Sequence, residues 1–159
     1  MPKVVQALAI QIITENPEQA ARWAERFAVH LKPGDCLLLS GPVGAGKTHF
    51  ARSVIQELLV DFEDVPSPTF TLVQTYPTRL GEVWHADLYR LGHVDELIEL
   101  GLEEAFDEAI TLIEWPDRLG DLRPSRYLDM DFGFVGDTDT RLLKVTPVGG
   151  GWDWLEGLV

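Results

Sequence analysis

The chain has 159 residues, 45% of them hydrophobic and 25% charged, which suits one globular domain that buries roughly 68–70% of its unfolded surface. Thirteen basic against twenty-six acidic residues leave a formal charge of -13, which excludes a surface that grips nucleic acid unaided, because such binding rests on neutralising phosphates with Lys and Arg. The single cysteine, Cys36, excludes an internal disulfide and a multi-thiolate metal site.

The opening residues, MPKVVQALAIQII, are too short and too interrupted by polar residues for the core of a signal peptide, and no run of 18 apolar residues occurs. The expectation is a cytoplasmic protein with no membrane partner.

In chain order, residues 7–14 alternate as a first strand. Asn16 reads as a helix cap, with Pro17 at the first helical position and Gln19 three residues beyond the cap. Ala20, Trp23, Ala24, Phe27 and Leu31 form one apolar stripe, and KPGD stops that helix. CLLLS at 36–40 is a continuous apolar run, the mark of a strand covered on both faces. A second helix follows, with Phe50, Val54 and Leu58 at helical spacing.

Residues 71–76 and 82–89 read as a hairpin turning near Gly81. A helical stretch broken near Gly101 leads to a buried strand at 109–115, and residues 127–132 and 140–147 form another hairpin around GFVGDTD. Strands alternating with helices, plus hairpins, predict an α/β fold with a sheet of mixed parallel and antiparallel direction flanked by helices.

Between the 36–40 strand and the second helix stands GPVGAGKTHF, which satisfies G-x-x-x-x-G-K-[ST] through Gly41, Gly46, Lys47 and Thr48. Gly41, Gly44 and Gly46 let the backbone turn sharply and approach a ligand without a Cβ in the way. Successive N–H groups around Ala45 then surround a phosphate, helped by the positive end of the helix. Lys47 supplies a mobile cation for the β- and γ-phosphates, and the Thr48 hydroxyl is placed for Mg²⁺. The expectation is one P-loop NTPase-like domain over residues 1–148, with 149–159 a glycine-hinged tail that packs on its own domain or docks to a partner.

The Asn-Lys-x-Asp segment common in guanine readers is missing, so ATP is the expected nucleotide. Hydrolysis calls for carboxylates that hold the metal and orient water. Glu114 ends the 109–115 strand, where such a residue usually stands. Asp87, in HADLYRL, is a second candidate, or a cap for the turn that follows. Thr69, in SPTF, lies in a Pro-bracketed loop that is either a nucleotide-sensing switch or a plain connection.

Taken in order, GAGKT, SPTF, HADLYRL and IEWPDR resemble the bacterial TsaE (YjeE) family, small P-loop ATPases required for threonylcarbamoyladenosine in tRNA. The resemblance covers roughly residues 10–130. It implies that residues 43–48, beginning at Val43, bind phosphates, and that Thr48 and Glu114 hold Mg²⁺. Asp87 would be the catalytic carboxylate alongside Lys47, and Thr69 would belong to a γ-phosphate switch. Trp115 would be a mobile aromatic beside the nucleotide, against the alternative of a buried core indole. Thr14 and Asn16 would belong to the base pocket.

The implied partners are the TsaB and TsaD proteins, with tRNA met only through their complex. A net charge of -13 suits such a docking protein, although it also serves plain solubility. Pro42, Val43 and His49 depart from the family pattern, outside the named catalytic roles. Two competing readings are a small-molecule kinase, with Arg118, Arg123 and Arg126 as a lid, and a nucleotide-gated binding module that never hydrolyses.

Overall fold

A computed structural model describes residues 8–61, 63–68 and 71–158. Helices lie on both faces of a seven-stranded sheet: β1 (Ile10–Thr14), β2 (Cys36–Ser40), β3 (Val73–Thr78), β4 (Gly81–Asp87), β5 (Ile110–Glu114), β6 (Tyr127–Phe134) and β7 (Arg141–Val148). The spatial order is β1-β7-β6-β2-β5-β4-β3. The inner strands β6, β2, β5 and β4 are parallel, while β1, β7 and β3 pair antiparallel. The expected mixed sheet is therefore the observed one.

The apolar run of β2 is buried on both faces, as parallel strands covered by helices must be. Leu37 and Leu39 join a core with α1 (Pro17–Ala28) and α2 (Lys47–Leu58), while Cys36 and Leu38 join a second core with α3 (Asp95–Leu100) and α4 (Leu102–Glu108). Asn16 caps α1 as expected, its side chain accepting from the Gln19 N–H at 2.9 Å, while the Gln19 side chain accepts from the Glu15 N–H. Gly101, at φ 84°, breaks α3 from α4.

Most strand boundaries differ from expectation by one to three residues: β1 starts at Ile10, β5 spans Ile110–Glu114 and β7 spans Arg141–Val148. β3 starts at Val73 and runs through Pro77; as an edge strand it tolerates a residue without an N–H. β4 stops at Asp87 instead of 89: the Leu88 N–H makes the last ladder bond, to the Glu114 carbonyl, and β5 itself ends there, Trp115 turning away at φ 59°. β6 continues to Phe134, with Gly133 and Phe134 paired to Leu142 and Arg141, so the turn is confined to 135–140.

Residues 152–158 fold back onto the α1 core. Trp152, Leu155 and Leu158 are buried there, and Trp154 stacks on His30 and meets Phe27 edge-on. The segment is held at its glycines by Arg126, whose guanidinium donates to the Gly150 and Gly151 carbonyls and lies over the Trp152 ring at 4.1 Å. Among the described residues no helix is long and apolar enough to cross a membrane.

Candidate nucleotide site

The parallel core of the sheet decides where the chemistry gathers. In open α/β sheets ligands bind beyond the carboxyl ends of the strands. Ser40 ends β2 and leads into the loop, Asp87 ends β4, and Glu114 ends β5. Asp87 and Glu114 are direct partners in register, as are Leu39 and Glu114. Carboxylates 27 positions apart in sequence thereby stand side by side at the mouth of the loop.

The glycines of the loop have separate reasons. Gly41 has φ 134°, and a Cβ there would stand 2.3 Å from the Phe132 carbonyl oxygen. Gly46, at φ 108°, would meet nothing within 4 Å; its backbone conformation, not its packing, requires glycine. α2 begins at Lys47, so its N-terminal N–H groups open toward the loop.

Lys47 is largely buried and donates from Nζ to the Gly41 carbonyl, with its ammonium 3.5 Å from the centre of the Trp115 ring. Burial lowers its pKa, while Glu114, Asp87 and Asp117 act to raise it. The cation sits between an aromatic face and acidic groups, and phosphate oxygens would complete its coordination.

Thr48 Oγ1 donates to Glu114 Oε1 at 2.6 Å, and His85 Nε2 lies 2.7 Å from Glu114 Oε2. Glu114 is only 2% exposed. Asp87 Oδ1 accepts the Tyr89 N–H at 3.1 Å, and its own N–H donates to the Leu72 carbonyl. Leu72 and Trp115 are the two non-glycine residues with positive φ among the described residues, at 63° and 59°. Each adjoins an acidic group, Leu72 through that hydrogen bond and Trp115 by following Glu114. Such conformations are uncommon outside glycine and gather where a site holds the backbone in place.

A cleft of about 500 Å³ joins these groups. It is lined by Val43, Gly44, Gly46, Lys47, Thr48, Asp87, Glu114 and Trp115, with Ser67, Tyr89 and Arg90 at its edges. Val43 is 73% exposed on the rim. Trp115 is half-buried: it faces this cleft against Lys47 and Tyr89 and also packs against the second core.

Across the loop, Gly44, Gly46 and His49 also border an apolar pocket of about 290 Å³. Thr14, Asn16 and Ala45 line this pocket together with Trp23, Phe50 and Phe132. Thr69 lies outside the described residues.

The donor chemistry fits Mg²⁺. A hydroxyl and a carboxylate in contact are hard oxygen donors, and Mg²⁺ is usually held by one or two carboxylates with substrate phosphates and water instead of an all-protein cage. Among the described residues no group of three or more His, Cys, Asp or Glu could form such a cage.

The arginine lid of the kinase reading is not assembled. Arg126 Nη1 lies 2.8 Å from Asp35 and donates to the Gly34 carbonyl, just before β2 begins and so at the end opposite the phosphate loop. Arg123 donates to the Pro116 carbonyl, and Arg118 to the Tyr89 and Leu91 carbonyls.

His85 and Trp23 escape a reading of the sequence as site residues. The spacing of His85 two residues before Asp87 on one strand, hence on one face, is the available signal for the first. Trp23 looks like any core residue of an apolar stripe, because nothing local shows that the stripe borders the loop.

The family model for "Threonylcarbamoyl adenosine biosynthesis protein TsaE" matches residues 14–141. Proteins named tRNA threonylcarbamoyladenosine biosynthesis protein TsaE are similar along most of the chain. That of Rickettsia bellii is 39% identical, covering 89% of this chain and 98% of its own length. That of Bacillus subtilis is 36% identical, covering 89% and 88%. The crystal structure of Bacillus subtilis YdiB superposes with a TM-score of 0.79 at 31% identity, covering 97% of this chain and 96% of that one. The phosphate loop and the strand-end carboxylates that gather the cleft lie within residues 14–141, and the chain belongs to the TsaE family, the threonylcarbamoyl adenosine biosynthesis proteins.

Proposed function

We propose that this chain binds ATP with Mg²⁺ and hydrolyses it as an accessory ATPase, slowly when alone. In this reading it supports repeated turnover of a TsaB–TsaD complex that forms threonylcarbamoyladenosine in tRNA. The observation that carries the reading is the convergence of Lys47, Thr48, Asp87 and Glu114 on one cleft behind a phosphate loop.

The loop N–H groups and Lys47 bind and orient the phosphates, and the apolar pocket beside Trp23 and Phe50 takes the base. Thr48 and Glu114 hold the metal, which when bound offsets charge on the phosphate oxygens. Asp87 orients a water for in-line attack at the γ-phosphorus by accepting a hydrogen bond from it; the P–O bond to ADP breaks as the new P–O bond forms. Trp115 holds the Lys47 ammonium over its ring at the cleft until phosphate oxygens take it. The charge of -13 supports a protein that meets tRNA only through its partners.

The test is ATP hydrolysis by the purified chain, alone and with TsaB and TsaD added. Stimulation by the pair, abolished by Asp87→Asn, is expected. A rate that the pair leaves unchanged would remove the accessory role, and undiminished turnover in Asp87→Asn would remove the role given to Asp87.

A further inference from the structure

His85 is fully buried in the middle of β4, yet it is a polar residue with one ring nitrogen, Nδ1, that has no hydrogen-bond partner. Burying an imidazole with an unpaired nitrogen costs stability, and an apolar side chain would fill the place without that cost. Its other nitrogen is 2.7 Å from Glu114 Oε2. The two oxygens of Glu114 are thus divided, Oε1 toward Thr48 and Oε2 toward His85. The strand register explains the meeting: His85 is paired with Leu112, so Glu114, two residues on, lies diagonally across on the same face.

Building on the Mg²⁺-nucleotide reading above, we infer that His85 is a positioning residue. It donates from Nε2 to Glu114 Oε2 and thereby fixes the carboxylate so that Oε1 is presented, with Thr48, to the metal. A carboxylate oxygen accepts, so Nε2 is the nitrogen that donates, and a second N–H on Nδ1 would be a buried donor without a partner. A bare Nδ1 leaves an acceptor unpaired in the core and no donor stranded. His85 touches neither nucleotide nor metal; it acts through Glu114, as partners of metal-holding carboxylates do elsewhere.

The test uses the full chain with His85→Leu, which removes the donor at similar volume, and His85→Gln, whose amide N–H can stand where Nε2 stood. Both are checked for cooperative melting. A fluorescent N-methylanthraniloyl ATP is then bound in EDTA and across a Mg²⁺ titration.

We expect all three proteins to bind equally in EDTA. His85→Leu should need about 10–100-fold more Mg²⁺ for its half-maximal effect, and His85→Gln should stay near the parent. A general packing role would lower the melting temperature without moving the Mg²⁺ midpoint. The inference is overturned if His85→Leu keeps the parent midpoint, or if His85→Gln shifts as far as His85→Leu. A parent that binds no nucleotide would instead overturn the reading on which the inference rests.

Should His85→Leu fail to fold, nitrogen NMR of the parent decides. A proton on Nε2 supports the role, and a bare Nε2 overturns it.

Discussion

Removing the guanidinium of Arg126 should destabilise the whole domain through a carboxylate that stands far from the nucleotide. Asp35 is fully buried, and Arg126, 28% exposed in its side chain, lies 2.8 Å from Asp35 Oδ1 as an ion pair without an aligned hydrogen bond. In Arg126→Ala the carboxylate keeps only the Lys32 N–H on Oδ2 at 3.0 Å and the largely exposed Lys32 ammonium at 3.5 Å. Stranding one partner of a buried pair costs about 3–5 kcal/mol, and the lost stacking on Trp152 adds about 0.5–2 kcal/mol.

The retained Lys32 contacts hold the total toward the lower part of the range, about 4 kcal/mol. At about 2–4 °C per kcal/mol for a chain of this size, the melting temperature should fall by roughly 8–16 °C. Urea unfolding of Arg126→Ala, Asp35→Asn and the double variant would measure it. If the cost is the stranded charge, the double variant recovers a good part of what Arg126→Ala loses. A loss below about 1 kcal/mol, within the range of exposed ion pairs, or a double variant no more stable than Arg126→Ala, would refute the reasoning.

Asp87→Asn should retain nucleotide affinity and lose about 3–4 kcal/mol of barrier lowering, some hundredfold or more in turnover, whereas Lys47→Ala should weaken nucleotide binding itself; calorimetric titration beside a phosphate-release assay separates the two. Trp115, one of five tryptophans, should report occupation of the loop, because phosphates draw the Lys47 ammonium from its ring face. Magnesium pyrophosphate, which lacks a base to fill the pocket beside Trp23, should change the emission of the parent and leave that of Trp115→Phe flat. Burial pushes the Cys36 thiol up to about 12, so it stays protonated at pH 8 and should be inert to a thiol reagent. It should react once urea unfolds the chain, and rapid labelling of the folded protein would contradict that burial.

The local signals in the sequence were strong where one residue type answers one need. Gly46 and Lys47 are legible because a phosphate loop tolerates few alternatives at those places. β2 is legible because a short apolar run bounded by KPGD and the glycine loop is typical of a strand covered on both faces, and Asn16 with Gln19 marks a helix start. Strand ends were less so: β4 stops at Asp87 because its partner β5 ends at Glu114, a neighbour 27 positions away that no local pattern displays.

The sequence by itself determined the elements, the phosphate loop and the inventory of carboxylates, since each follows from local backbone preference, from periodicity or from the donors a side chain carries. Only the tertiary structure decided which of those groups meet. The parallel order of β4, β5 and β2 sets Asp87 beside Glu114, turns the buried His85 onto the same carboxylate, and takes Arg126 away from the loop to Asp35 at the opposite end of β2. The physical reason is that strand order and register are set by how the apolar faces of distant segments pack against one another, a property of the whole chain.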